Sequence, residues 1–153
     1  LTEAGLAEDP GEGRRKMEAV IADGTALEKF KAMVKAQGGD EAQIENPNLL
    51  PKAALVTPVP TRETGYIRSA KALELGRLAM EIGAGRETKD DVIRPETGIV
   101  LGKKTGDFVN QGDILAWVHH SEPLEKKWLQ RLYEAFEVSK EPVPGKQLIY
   151  KTL

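Results

Sequence analysis

The residues that could hold a metal ion are few, and their spacing is unfavourable. His119 and His120 are the chain's two histidines, and they directly follow the apolar run Ile114–Val118. Because adjacent residues of a strand point to opposite faces, the two imidazoles cannot easily converge on one ion. We therefore predict that the pair is a solvated strand end. Cysteine is absent from the sequence, which excludes disulfide frameworks, iron–sulfur sites and zinc ribbons.

Two glycine-containing segments resemble anion-binding loops in part. In Gly102–Thr105, Thr97 occupies the place of the upstream glycine that a phosphate loop needs, so we predict a hairpin turn. Gly83–Arg86 follows a helical stripe, where the helix dipole is negative and unfavourable for phosphate. We predict a glycine stop there, with Arg86 pairing the last helix carbonyls or a nearby carboxylate. A role for Arg86 in packing domains together stays open.

Charged clusters offer no clear catalytic group. Asp90-Asp91 with Glu87 or Glu96 is a weak cation cluster without EF-hand spacing, and a solvated loop is the simpler interpretation. Basic runs on helices lie beside acids and are typical of solvated faces. No Ser-His-Asp arrangement and no Gly-x-Ser-x-Gly motif is present. The residues themselves therefore predict no catalytic, cofactor-binding or metal-binding side chain.

Composition narrows the class of protein. The chain has 153 residues and a formal net charge of −2, which argues against bulk electrostatic capture of nucleic acid. Its longest apolar run, Ile114–Val118, is far too short to span a membrane. The composition fits a soluble, cytoplasmic protein that acts on small molecules. The sequence opens with Leu1 and no targeting pattern follows, so we expect a piece of a longer protein.

The first third of the chain is predicted to be helical. Residues 12–37 form two periodic segments separated by Gly24, and Thr25 with Glu28 fits a capping box. Two short helices cannot bury both apolar stripes alone, so they should pack on the rest of the chain or on an absent partner. The proline-punctuated stretch from Asn46 is a candidate domain boundary.

The remainder is predicted to mix strands and helices. The expected strands are Ala53–Val56, Gly65–Arg68, Gly98–Leu101, Phe108–Val109, Ile114–Val118 and Leu148–Tyr150. One helix should start at Ser69 and present Leu75, Leu78 and Ile82. A second should start at Ser121 and carry a stripe from Leu124 through Trp128 and Leu132 to Ala135 or Phe136.

The turns around residues 98–118 resemble half of a biotinyl/lipoyl-type hammerhead. A Gly-Asp pair stands at each of two turns, Gly106-Asp107 and Gly112-Asp113. A carrier domain would also need a lysine on a hairpin tip, typically flanked by methionines. Met17, Met33 and Met80 flank no such lysine, so a covalent carrier is disfavoured.

Six short sequence segments, taken in order, resemble the C-terminal part of pyrimidine-nucleoside phosphorylases, the family that includes thymidine phosphorylase. The segments are Ala26–Phe30, Gln37–Asp40, Gly65–Ile67, Leu75-Gly76, Gly83–Arg86 and Gly98–Ala116. Their order and spacing cover almost the whole chain. Two departures are Ile82, where leucine is expected, and Arg94, where an acid is expected.

The resemblance implies an α+β fold. Residues 1–51 would be a helical tail of the larger phosphate-binding domain, and residues 52–153 a hammerhead-like C-terminal domain. The family's reaction is reversible phosphorolysis, in which phosphate attacks C1′ of a pyrimidine nucleoside. The resemblance places the catalytic groups in the N-terminal two thirds, so no catalytic residue is carried over. Phosphate would be a co-substrate and no cofactor is expected here.

The resemblance also implies partners and leaves alternatives. The N-terminal part of the same enzyme would be the partner, and the parent would be a homodimer that binds no nucleic acid or membrane. The fragment alone is predicted to be inactive and structural. The alternatives are a non-enzymatic hammerhead-type carrier or interaction module, and the same region of a related AMP phosphorylase.

Overall fold

The computed structural model describes residues 1–147, which divide into two compact units. The first unit is Leu1–Leu50 and the second begins at Pro51. Helices and small antiparallel sheets are both present, which confirms the predicted α+β class. The predicted strand Leu148–Tyr150 lies outside the described residues. Within the described part of the chain, no helix is long and apolar enough to cross a membrane.

The first unit is helical, as predicted. It contains α1 (Pro10–Ala22), α2 (Thr25–Ala36), α3 (Ala42–Glu45) and a 3₁₀ turn at Pro47–Leu49. Asp9 caps α1 by accepting the Glu12 amide at 2.8 Å. The predicted capping box at Thr25 is wrong, because Gly24 is the N-cap and Asp23 accepts both the amide and the hydroxyl of Thr25.

The second unit contains two three-stranded antiparallel sheets and two helices. Its elements are β1 (Leu55–Pro60), β2 (Gly65–Ala70), α4 (Ala72–Ala79), a π-helical turn at Met80–Ala84, β3 (Gly98–Leu101), β4 (Phe108–Val109), β5 (Ile114–His120), α5 (Lys126–Glu134) and β6 (Phe136–Ser139). The first sheet has the order β1-β5-β3, and the second has the order β4-β2-β6. Pro58 and Pro60 lie on the edge strand β1, where a missing N–H is tolerated.

Three predicted elements of the second unit have wrong boundaries. Strand β1 begins at Leu55 and continues to Pro60, beyond the predicted Ala53–Val56. Ser69 is a strand residue paired with Glu137, so α4 starts only at Ala72. Ser121 caps no helix: its hydroxyl donates to Glu96, and α5 begins at Lys126.

The end of the second predicted helix is also wrong. Helix α5 stops at Glu134, and Phe136–Ser139 forms β6. Phe136 pairs with Ala70 and Val138 pairs with Ile67 across the second sheet. Phe136 and Val138 are two residues apart, which is the period of a strand. Their pairing with β2 therefore decides the local structure, although Phe136 also fits the helical pattern predicted from Leu124 onward.

The core of the second unit lies between the helices and the inner faces of the sheets. Its most deeply buried side chains are Val59, Ile67, Leu78, Val109, Val118 and Leu132. The predicted stripe of α4 is confirmed at Leu75 and Leu78, and Ile82 packs against the same cluster. The Trp128 indole N–H donates to the Leu78 carbonyl oxygen at 3.2 Å, which fixes α5 against α4.

Candidate functional site

A cavity of about 850 Å³ in the second unit is open to solvent. Its walls come from the π-helical turn, the following loop, the segment after β5 and the start of α5. They combine apolar side chains with both signs of charge, including Met80, Leu124, Trp128, Glu81, Asp91, Arg94, His120, Glu122 and Arg131. A cavity with apolar walls and a few converging polar groups is the usual location of a ligand-binding or active site.

His120 lies in the wall of this cavity and is almost fully buried, with 4% of its surface exposed. Its Nδ1 is 2.7 Å from the Glu122 carbonyl oxygen, and its Nε2 is 2.8 Å from Thr57 Oγ1. A carbonyl oxygen can only accept, so Nδ1 carries the proton. In the neutral ring, Nε2 then accepts from the Thr57 hydroxyl. Both nitrogens are used within the fold, which leaves none for a metal ion or a substrate proton.

The prediction of a solvated strand end is therefore wrong for His120. Strand β5 continues two residues beyond the predicted Val118, and its alternation turns His120 toward the core. The pairing of His120 with Leu55 and of His119 with Val56 places the histidines at adjacent register positions, on opposite faces.

Gly83 ends the helical segment with a left-handed backbone, φ 101°. This confirms the predicted glycine stop. The Arg94 amide donates to the Gly83 carbonyl oxygen at 2.8 Å, and Arg94 Nη1 lies 3.3 Å from Glu122 Oε1. The pairing role predicted for Arg86 thus belongs to Arg94, since Arg86 is exposed and has no hydrogen bond or ion pair within residues 1–147.

Arg131 joins α5 to α4 and to the π-helical turn through two carboxylates. Its guanidinium donates to Glu81 from Nη1 and Nη2, each at 2.9 Å, and to Glu74 Oε1 from Nη2 at 2.7 Å. Hydrogen bonds to Glu81 and then to Glu74 raise the pKa of Arg131 above its ordinary value. Sequence reasoning missed this cluster because the partners are far apart in the chain.

The acidic segment after the π-helical turn is a loop that holds itself together. The Asp91 carboxylate accepts the amides of Glu87 and Thr88 and the Thr88 hydroxyl, each at 2.9 Å. Hydrogen bonds from Thr88 and then from the Glu87 amide lower the pKa of Asp91. No group of three or more His, Cys, Asp or Glu residues within 1–147 is placed to bind a metal ion.

Gly102–Thr105 forms a turn whose amides are occupied. The amides of Gly102 and Lys103 both donate to the Leu115 carbonyl oxygen, at 2.8 and 3.2 Å. The Lys104 amide donates to Asp107 Oδ2 at 2.8 Å. Since these donors point into the fold, they cannot form a phosphate cradle. The predicted hairpin turn is wrong, because the segment joins β3 of the first sheet to β4 of the second, and these two strands do not pair.

The chemistry of these groups is structural. The imidazole of His120 and the guanidinium groups of Arg94 and Arg131 each bind partners inside the second unit. The Thr57 hydroxyl is hydrogen-bonded to His120 Nε2, but the other nitrogen of that ring is bound to the Glu122 carbonyl oxygen. The cavity wall is cross-linked by ion pairs of Arg94 with Glu122 and of Arg131 with Glu81.

Comparison with known proteins identifies relatives. Residues 66–139 match the family model described as "Pyrimidine nucleoside phosphorylase C-terminal domain". The pyrimidine-nucleoside phosphorylase of Geobacillus stearothermophilus is 37% identical over 91% of this chain and 32% of its own length. That of Bacillus subtilis is 39% identical over 85% of this chain and 30% of its own length. The chain thus spans about a third of the relatives that it matches.

Proposed function

Because the chain belongs to the pyrimidine-nucleoside phosphorylase family through its C-terminal domain at residues 66–139, we propose that it is the C-terminal part of such an enzyme. The parent would transfer a pentose from a pyrimidine base to inorganic phosphate. The observation that carries the proposal is identity of 37% to 39% along most of the chain, over only about a third of the relatives' length. Phosphate is then a co-substrate, and the parent works in the cytoplasm.

Phosphorolysis requires cations and hydroxyls around phosphate, and donors that stabilise negative charge developing on the leaving base. The buried imidazole and the two paired arginines of the second unit are already bound to groups within that unit. We therefore assign the catalytic groups to the part of the enzyme outside this chain. The contribution of the second unit is structural, and the chain alone is inactive.

The first unit supports the same proposal. Gly13 is its one buried residue, whereas Met17, Ile21, Leu27, Phe30 and Met33 are each about half exposed or more. A helical pair that buries so little apolar surface has no adequate core of its own. We propose that Leu1–Leu50 is the helical tail of the larger phosphate-binding domain, and that this domain covers these side chains.

The experiment is a domain replacement. The Bacillus subtilis enzyme is truncated by its matched region, and this chain is fused in its place. We expect the fusion to phosphorolyse uridine or thymidine, and the truncated enzyme to be inactive because its large domain is left uncovered. A fusion carrying Leu132→Arg, which places a charge in the core of the second unit, should also be inactive. Equal activity of the truncated enzyme and the fusion would contradict the proposed role.

The carrier alternative has no support in the contacts. Lys103, in the segment between β3 and β4, lies 3.6 Å from Asp113 and is not presented on a hairpin tip. The alternative that the complete enzyme is specific for nucleotides, as an AMP phosphorylase would be, is tested by adding a nucleoside monophosphate as a substrate in the same assay. Cleavage of the monophosphate with no cleavage of uridine or thymidine would replace the proposed substrate class.

A further inference from the structure

The first sheet has an inner face that packs on the core and an outer face that does not. The register aligns Val56, His119 and Gly98 in one row, and Pro58, Trp117 and Val100 in the next. The neighbouring rows contain Val118, Ala116 and Val59, which are buried. Directly paired residues share a face, so these two outer rows form one surface. We call these six positions the outer sheet face.

The outer sheet face lacks the polarity of a solvated surface. An antiparallel sheet with one wet face normally alternates apolar and polar residues. Here none of the six positions is Lys, Arg, Asp or Glu. Val56 is 51% exposed, Val100 is 52% exposed and Trp117 is 38% exposed. Trp117 is thus an exposed large apolar side chain at the centre of β5, between the buried residues Ala116 and Val118.

Trp117 is also held in place on this face. A Cβ built on Gly102 would lie 2.8 Å from Trp117 Cζ3 and 2.9 Å from the Ile114 carbonyl oxygen. Only glycine therefore fits beneath the indole in this arrangement. A fixed aromatic side chain at the centre of an apolar surface is typical of a packing site, because little rotamer entropy remains to be lost on contact.

We infer that the outer sheet face is the surface on which the part of the phosphorylase outside this chain packs against the second unit. This inference rests on the proposed function. About two thirds of each relative's length has no counterpart in this chain, so a large covalently linked body is available. The face contains no Lys, Arg, Asp or Glu, which fits an apolar cover.

The size of the face favours a linked occupant over a second copy. A stable complex between separate chains buries roughly 800 Å² per partner, from about 20 to 30 residues on each side. Six positions, two of them glycine and proline, fall well below that size. A domain joined by the same chain needs much less area, because the linkage supplies a high effective concentration.

We expect the covering part of the enzyme to pack over the outer sheet face and not to add a strand to the edge of the sheet. Strand β1 is one edge of the sheet and contains Pro58 and Pro60, which cannot donate to an added strand. Edge addition at β1 would therefore lose ladder hydrogen bonds. Burial of the Trp117 and valine side chains needs only an apolar surface placed over the sheet.

The experiment uses cysteine alkylation, because the chain has no cysteine of its own. Val100→Cys reports on the outer sheet face, and Val92→Cys is the matched control at an 82% exposed loop position. Each variant is made in the complete gene product that contains this chain, and alkylation is followed by mass spectrometry of the peptide concerned. We expect V100C to react at least about tenfold more slowly than V92C in the native protein, and equally fast in urea.

Equal native rates for V100C and V92C would overturn the inference. Val56→Cys, 51% exposed on the opposite edge strand, repeats the measurement if V100C does not fold. Phosphorolysis assayed on the same samples separates the two proposals: an active enzyme with an unprotected V100C overturns only the inference. Protection of V100C in the 153-residue chain alone, increasing with concentration, would assign the face to a second copy and also overturn it.

Discussion

At the scale of single residues, the polar groups of the second unit act as cross-links. His120 ties β5 to β1 and to the segment that follows β5, through Thr57 and the Glu122 carbonyl. Arg94 and Arg131 tie the π-helical turn to that segment and to α5. The elements that line the cavity are therefore connected by internal bonds.

Gly83 is the residue at which a small side chain should be costly. Gly83→Ala forces a left-handed backbone on alanine and places a Cβ 3.1 to 3.3 Å from the Arg94 side chain. We expect a loss of about 1–2 kcal/mol in the free energy of unfolding. The control is Gly76→Ala, in α4 with nothing within 4 Å of its Cβ, which should gain roughly 0.5–1 kcal/mol. Urea denaturation measures both, and an equal effect at the two positions would refute the argument.

Arg131 is a partly buried cation that binds two carboxylates, and it should contribute more to stability than an isolated surface ion pair. Arg131→Gln leaves Glu74 and Glu81 close together with no guanidinium between them, and we expect a lower melting temperature of this unit. Arg14→Gln is the control, because Arg14 forms a single, highly exposed pair with Glu18 and should change little. Thermal unfolding followed by near-ultraviolet circular dichroism tests the difference. Equal melting temperatures would show that the double ion pair contributes nothing.

The hydrogen bonds that the Asp91 carboxylate accepts should make the stability of its loop depend on pH. Its pKa is lowered in the folded chain from the ordinary 3.8, so the charged form is bound more tightly when folded. That stabilisation is fully present above the unfolded pKa and is lost as the pH falls through the folded pKa. We expect hydrogen exchange at the Thr88 amide to accelerate, relative to its intrinsic rate, below about pH 4. In Asp91→Asn the protection should be independent of pH, and a similar acid dependence in that variant would contradict the assignment.

At the scale of elements, the sequence predicted those helices, strands and helix ends that depend on local periodicity and on turn residues. Helices α1 and α2, strands β3 and β4, and the glycine stop at Gly83 follow from periodicity and turn residues. The start of α4 and the existence of β6 depend on pairing between Ser69 and Glu137, and between Ala70 and Phe136. Local sequence carries little information about such distant pairs, and those boundaries were wrong.

In the candidate site, too, the contacts between residues that are distant in the chain could not be predicted from local sequence. The placement of His119 and His120 on opposite faces followed from alternation along a strand. The burial of His120 did not, because it depends on Thr57, which reaches the ring from the neighbouring strand β1. The Arg131 cluster likewise requires α4 and α5 to be adjacent. Contacts of this kind become visible only with the fold.

Helix α4 offers a direct test of the packing. Leu78→Ala removes a fully buried side chain and should cost about 2–5 kcal/mol in the free energy of unfolding. Leu73→Ala is the control on the same helix, because Leu73 is 71% exposed, and it should change stability by less than about 0.5 kcal/mol. Chemical denaturation distinguishes the two, and equal losses would contradict the orientation of α4.

At the scale of the whole molecule, the two units differ in how much they bury. The second unit has a continuous core, whereas Gly13 is the one buried residue of Leu1–Leu50. In the isolated chain, we expect amides of α1 and α2 to exchange on the order of a hundredfold faster than those of β5. Hydrogen exchange with mass spectrometry measures this, and equal protection of both units would show that the first unit is stable without a cover.

The central claim is that this chain belongs to an enzyme whose catalytic groups lie outside it. The most direct measurement is phosphorolysis of uridine and thymidine by two samples at equal molar concentration: the 153-residue chain and the complete gene product that contains it. The account predicts release of free base and pentose 1-phosphate by the complete product, and none above background by the chain alone. Robust phosphorolysis by the chain alone, or none by the complete product, would contradict it.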